Sequence, residues 1–358
     1  MKKILVYIDS MRAAGGIERI VFELMRCWSA SYVIELMVKD EGKCFYGDLS
    51  DYNVFSLECP RIINMNNRLQ RILMTFGNSL ISSKRIRKID LIKYDFFYVT
   101  TPMNALELIM AGINTKKIIV SEHGSALGVN KVYKIVKRVV YPKVRCVSVP
   151  NSIDVLYYKK IGANAVYIPH LVYLKGKPMN DLSTRVVMNC GRLTADKRQI
   201  ELLKMWNNIK NKNEWKLIIV GDGEEREKLE SFIKENQLTS SVELLPARKE
   251  IETIYKKASL FAFTSRFEGF GLVLVEAMSY GIPCIAFDCP SGPRDIVIDG
   301  KSGCLIPNNN YEQYETTLEK ILNMDEKELV KLGENAYNIV NSWDNNAIIG
   351  KWREIFDQ

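Results

Sequence analysis

The densest chemistry in the chain lies in SRFEGFGLVLVEAMSYGIP (265–283), where Glu268 and Glu276 stand with seven residues between them. A strand-like run, LFAFTS (260–265), leads through a loop into an almost wholly apolar helical stretch, which must therefore be buried. Gly269 and Gly271 leave the loop backbone unobstructed, so the amides around Phe270, Leu272 and Val273 can approach an anion with the helix dipole behind them. A phosphate fits that description. Glu276 sits in an apolar run where a carboxylate is costly unless something hydrogen-bonds it, and ribose hydroxyls could do so. A plainer alternative makes Glu276 a helix-dipole carboxylate paired with an arginine and Glu268 a solvated loop residue. Spacing alone weighs the two readings evenly.

GRLTADKRQ (191–199) follows the apolar run VVMNCG and opens a helix, presenting Arg192 and Lys197 at the carboxyl end of a strand. Two fixed cations there can neutralise a departing diphosphate where other enzymes use a divalent ion, and no Asp-x-Asp occurs in the chain. An exposed pair flanking a helix start is the alternative. Gly15 and Gly16 lie in the first post-strand loop and by themselves indicate no more than a turn. Gly221 and Gly223 in VGDGEERE permit a tight turn after strand KLIIVG, Arg248 in PARKE is a candidate neighbour of a base, and Ser291 in SGPRDI is a candidate polar contact to a diphosphate or sugar. His123 follows KIIVS and precedes Gly124; a lone histidine is more often structural. His170 is taken as linker structure.

Taken together, Glu268 and Glu276 with GFG between and AMSYGIPCIAF after, GGIERIVFEL (15–24), SEHGS (121–125), GRLTADK (191–197), VGDGEEREKLE (220–230) and SGPRDIV (291–297) resemble the family-4 retaining glycosyltransferases of GT-B fold. The segments cover most of the chain in the family's order. The resemblance implies that Glu268 contacts donor-sugar hydroxyls, Glu276 the nucleotide ribose, and His123 the sugar near its reacting carbon. It also implies retention by front-face attack without a side-chain nucleophile, and a hexose or N-acetylhexosamine carried by a nucleotide, by family habit UDP. The acceptor it implies is a saccharide or lipid-linked saccharide of a cell-surface polysaccharide such as capsule or lipopolysaccharide. Asparagine is frequent in relatives where this chain has His170, so that residue's role stays open. A nucleotide-sugar epimerase or phosphorylase of the same architecture, and a noncatalytic sugar-binding protein, are the rival readings.

The elements that must position these residues alternate short β-branched runs with amphipathic stretches, the pattern of parallel sheets covered by helices. Six strands are expected before residue 170 and six after 185, with a linker over 170–184. The expected class is α/β: GT-B, two doubly wound Rossmann-like domains facing an interdomain cleft. Residues 1–172 would bind the acceptor and 173–342 the nucleotide sugar, and a helix over 343–358 could cross back. At 358 residues the chain is long enough for two cores.

No stretch approaches the ~18 apolar residues of a membrane span, and MKKILVYIDS has too short an apolar run for a signal peptide, reading instead as a buried strand. Eight cysteines without a Cys-x-x-Cys pair and only two histidines argue for a reducing cytoplasm and against a structural metal. No cofactor is expected, the nucleotide sugar being a substrate, and no nucleic-acid partner. Residues 1–174 hold 25 Lys and Arg against 14 Asp and Glu, whereas the rest hold 25 against 28, so the first half should meet something anionic. The basic and apolar segments 66–93 and 131–145 could lie on the inner face of an anionic cytoplasmic membrane; core-facing helices with a solvated basic side are the alternative.

Overall fold

The computed structural model describes residues 1–13, 15–60, 68–172, 182–248 and 250–357. Two compact units are present: residues 1–169 with 348–358, and residues 170–347. Of the linker placed over 170–184, residues 173–181 lie outside the described residues, as does the start of the 66–93 segment.

In the first unit β1 (Lys3–Tyr7), α1 (Gly16–Trp28), β2 (Val33–Val38), β3 (Asn53–Ser56), α2 (Arg68–Ile86), β4 (Phe96–Val99), α3 (Pro102–Met110), β5 (Ile118–Ser121), α4 (Lys131–Val140), β6 (Cys146–Val149), α5 (Ser152–Lys160) and β7 (Ala165–Tyr167) alternate along the chain. The strands form one seven-stranded sheet, ordered β3-β2-β1-β4-β5-β6-β7, with parallel pairing throughout. The sequence gives six of these. The seventh, β3, is a four-residue edge strand with no buried residue, so it lacks the apolar run that marks the others.

The second unit contains β8 (Val186–Cys190), α6 (Gln199–Asn208), β9 (Lys216–Val220), α7 (Arg226–Glu235), β10 (Val242–Leu245), α8 (Glu252–Tyr255), β11 (Leu260–Phe263), α9 (Leu272–Ser279), β12 (Cys284–Asp288), β13 (Gly303–Pro307), α10 (Tyr311–Leu322) and α11 (Glu326–Asn341). Its six strands, all of them anticipated, are ordered β10-β9-β8-β11-β12-β13 and are again parallel. Strand alternation divides its core between two faces: Ala262, Ile285 and Phe287 join one cluster, Phe261, Phe263, Cys284 and Ala286 the other. Helix α9 packs in the second cluster, which is why its sequence is apolar nearly all round.

The last helix, α12 (Asn345–Asp357), belongs to the first unit from Ile348 onward. There Trp352 and Phe356 each stand edge-on to Trp28 with centroids 5.1 Å apart, and Lys2 Nζ donates to the Phe356 carbonyl at 2.7 Å. All eight cysteines are free thiols. No helix among the described residues is long and apolar enough to cross a membrane.

Candidate active site after strands β8 and β11

Strand order in the second sheet reverses between β8 and β11: from β8 the chain proceeds outward to β9 and β10, then returns to β11. Open parallel sheets bind ligands beyond the carboxyl ends of their strands at such a reversal, because the two post-strand loops part in opposite directions and leave a crevice. The loop after β8 carries Arg192 and Lys197, and the loop after β11 carries Glu268, Gly269, Phe270 and Gly271.

Hydrogen bonds to the backbone of the first loop join the two. Thr264 Oγ1 donates to the Lys197 carbonyl at 2.8 Å, and the Arg266 amide donates to the Asp196 carbonyl at 2.8 Å. The Lys197 ammonium then forms an ion pair with Oε1 of Glu268. Arg192 is exposed and extends from the same loop. From beneath, the loop after β9 presses against it: the Leu193 amide donates to the Asp222 carbonyl at 2.9 Å and the Gly191 amide to the Val220 carbonyl at 3.0 Å. A Cβ on Gly221 would stand 1.9 Å from the Gly191 oxygen, and one on Gly223 2.2 Å from the Leu193 oxygen. The glycines are needed where the two loops meet.

The loop after β12 braces Glu268 from the other side. Ser291 is fully buried, and its hydroxyl donates to the Glu268 carbonyl at 2.8 Å, which places it behind the candidate site as a support for the loop. Gly292 follows at φ +99°, where a Cβ would lie 2.3 Å from the Phe270 oxygen. Phe270 is also turned inward, with His170 edge-on at 5.1 Å and Trp343 at 5.5 Å between centroids. His170 is thereby a buried packing residue of the second unit.

Gly271, at φ +104°, turns the chain into α9, and the first-turn amides of Leu272 and Val273 point toward the helix's amino end, where the dipole favours an anion. One turn on, Glu276 is 8% exposed and accepts a hydrogen bond from the Tyr255 hydroxyl at 2.9 Å. Tyr255 in turn stacks on Tyr280 at 5.6 Å and 4°. The sequence reading offered ribose or an arginine as the partner of this carboxylate, and the fold supplies a tyrosine from α8.

Arg248 is exposed after β10, where the Ala247 amide donates to Asp222 Oδ2 at 3.0 Å. Arg226 donates to the Gly221 carbonyl at 2.9 Å and pairs with Asp222 at 3.2 Å. Thr264, Tyr255, Asp222 and Arg226 were not singled out from sequence. Thr264, standing directly after a buried strand, and Asp222, between the two glycines of the turn after β9, carried a positional signal.

In the first unit Gly15 is the N-cap of α1 and Gly16 its first residue; a Cβ on Gly15 would meet Glu18 Oε2 at 2.1 Å. His123 lies two residues beyond β5. Burial pushes its pKa down to about 3, so the imidazole is neutral across the physiological range. Among the described residues no cluster of three or more His, Cys, Asp or Glu could hold a metal ion.

Residues 175–339 match the family model of the glycosyl transferases group 1. That segment belongs to the group. The chain is 36% identical over 177 residues to the amylovoran biosynthesis glycosyltransferase of Erwinia amylovora, a match covering 48% of each chain. It is 25% identical over 362 residues to an undecaprenol-linked N-acetylgalactosamine α-1,4-N-acetyl-D-galactosaminyltransferase of Campylobacter jejuni, covering 99% of this chain and 98% of the relative. In fold it is similar to an S. aureus TarM mutant crystallised with fondaparinux, α-GlcNAc-glycerol and UDP, at a TM-score of 0.80, 15% identity and full coverage of both chains. The chain thus has the GT-B pair of Rossmann-like domains.

Proposed function

We propose that the protein transfers a hexose or N-acetylhexosamine from UDP, with retention and without a divalent metal, to a saccharide or lipid-linked acceptor during synthesis of a cell-surface polysaccharide. The observation that carries this reading is the convergence of Arg192, Lys197, Glu268 and the amino end of α9 on the one strand reversal of the second sheet. Cations and helix amides suit a diphosphate, the Glu268 carboxylate suits sugar hydroxyls, and buried Glu276 suits a ribose. In this scheme Arg192, Lys197 and the α9 amides stabilise the leaving diphosphate as its charge grows. The donor's own phosphate oxygen assists removal of the acceptor proton, so no side chain forms a covalent bond. UDP appears with the TarM structure, and a polyprenol-linked acceptor is named for the Campylobacter relative.

The first unit would meet the acceptor at the inner face of the cytoplasmic membrane. Leu73, Phe76, Leu80 and Ile81 on α2, and Ile135 and Val139 on α4, are exposed among lysines and arginines. The fold refines the residues concerned. Lys137 of α4 faces inward, and Arg85 donates to the Leu57 carbonyl, whereas Lys84, Lys88, Lys131 and Arg138 are among the exposed cations.

Calorimetry against UDP, GDP and ADP, followed by assay of the corresponding sugars with and without EDTA and NMR of the product anomer, tests the proposal. Preferential UDP binding, turnover in EDTA and a retained anomer are expected. Turnover that vanishes in EDTA and returns with magnesium, or an inverted product, would overturn it.

A further inference from the structure

Directly before His123 stands Glu122, a carboxylate that the reaction does not require and that the fold buries to 5% exposure. Its backbone amide continues the sheet by donating to the Ser148 carbonyl at 2.9 Å, and its side chain turns inward. There Oε2 accepts from Lys137 Nζ at 2.9 Å and Oε1 from the Tyr141 hydroxyl. Lys137, 3% exposed, also donates to the Tyr158 hydroxyl at 2.8 Å. Three residues past His123 the same turn is fixed again, because the Ala126 amide donates at 3.0 Å to Asp154 Oδ2, which Asn151 Nδ2 also reaches at 3.0 Å.

A buried ion pair is weak evidence for stability, since desolvating both charges costs about as much as their attraction returns, and apolar side chains of similar volume often serve as well or better. What the charges supply is direction. Two charge-assisted bonds fix the Glu122 side chain, and with it the dihedrals that set where the next residue points. Gly124 follows, with nothing within 4 Å of a built Cβ, so the turn has no steric brace of its own at that point.

We infer that Glu122 and Lys137 are positioning residues for His123: the Lys137–Glu122–Tyr141 cluster under β5 holds the imidazole in the orientation in which it meets the donor sugar. The inference rests on reading His123 as a sugar-contacting residue, and the experiment separates the two. The chain has only two histidines, and His170 in the second unit is an internal control.

The variants are Lys137→Met, Glu122→Gln, their double and His123→Ala, each followed by imidazole NMR, UDP calorimetry and hydrolysis of the UDP-sugar that the wild type accepts. In the single variants the His123 resonances should move, those of His170 and the affinity for UDP should stay, and kcat should fall by about 100-fold, the scale of a small misplacement in an active site. The double variant removes both charges of the pair, so its melting temperature should recover toward that of the wild type. A purely structural pair would recover turnover with it, whereas a positioning pair would not. Unmoved His123 resonances, or a stable double variant with wild-type kcat, overturn the inference. Normal turnover in His123→Ala would instead remove the sugar-contacting role, while the resonances still decide whether Lys137 and Glu122 orient the ring.

Discussion

Lys197 and Glu268, 71 positions apart in the chain, form an ion pair across the strand reversal of the second sheet, with side chains 24% and 14% exposed. On the proposed function the cation would face the diphosphate and the carboxylate the sugar, so that each presets the other before the donor arrives. Removing one would leave the other uncompensated there.

Lys197→Ala should therefore lower kcat/KM by about 3 kcal/mol, the usual scale for a preorganised electrostatic stabiliser. Combined with Glu268→Gln, the loss should be smaller than the sum of the two singles, by about 0.5–3 kcal/mol. Steady-state kinetics of the four proteins gives the coupling directly. Strict additivity would mean that the pair has no part in preparing the site.

Glu276 and Glu268 should fail in different ways. If the proposed role holds, Glu276→Gln removes a charge-assisted ribose partner worth about 1.5–3 kcal/mol, so UDP affinity should fall by about 10- to 100-fold. Tyr255→Phe, which frees the carboxylate from its tyrosine at 2.9 Å, should shift UDP binding in a smaller measure. Glu268→Gln should spare UDP and depress turnover. Calorimetry with UDP beside kinetics checks all three; loss of UDP binding in Glu268→Gln alone would reverse the assignment.

Gly223 offers a test of the loop framework. An alanine Cβ there would press on the Leu193 backbone from 2.2 Å, and backbone cannot rotate away. Gly223→Ala should cost about 1–3 kcal/mol of stability by overpacking. It should also weaken UDP binding through displacement of Arg192 and Lys197. Chemical denaturation with calorimetry distinguishes this from an indifferent surface site.

The neutral His123 predicts an acid-side loss of stability. Unfolded, the imidazole takes a proton near pH 6.5; folded, it does so only near 3. Between these values unfolding takes up a proton, so stability should fall as pH drops through the window by up to about 1.4 kcal/mol per pH unit, and should be flat above it. His123→Gln should lack that component in urea unfolding curves from pH 4 to 8. Parallel curves for the two proteins would show that the ring is protonated before unfolding.

Binding to anionic vesicles should be salt-sensitive and stronger than to neutral ones. Each cation near such a surface is worth about 1 kcal/mol, so neutralising Lys84, Lys88 and Arg138 together should cut the partition coefficient by more than about 100-fold. Arg85→Gln should act on stability instead, through the Leu57 carbonyl that it holds. Equal sedimentation with both vesicle types would favour a soluble acceptor.

The strands of both sheets were readable in the sequence wherever a strand is buried on two faces, because burial forces an unbroken apolar run such as KLIIV or LFAF. Edge strand β3, with no buried residue, left no such trace. The glutamate pair, the glycines and the cations of the candidate site could be named one by one, since local chemistry restricts what an apolar run or a post-strand turn will carry. Their company could not. That Lys197 meets Glu268, that Tyr255 caps Glu276, that Ser291 and Phe270 face inward, and that Lys137 leaves an otherwise basic helix face to join Glu122 are contacts between residues 15 to 100 positions apart. Such partners are set by strand order and by which loops a parallel sheet brings to one edge, and no periodicity along the chain encodes that. Segment by segment, the sequence determined which residues can bear charge or turn the backbone; the tertiary structure alone decided which of them are neighbours.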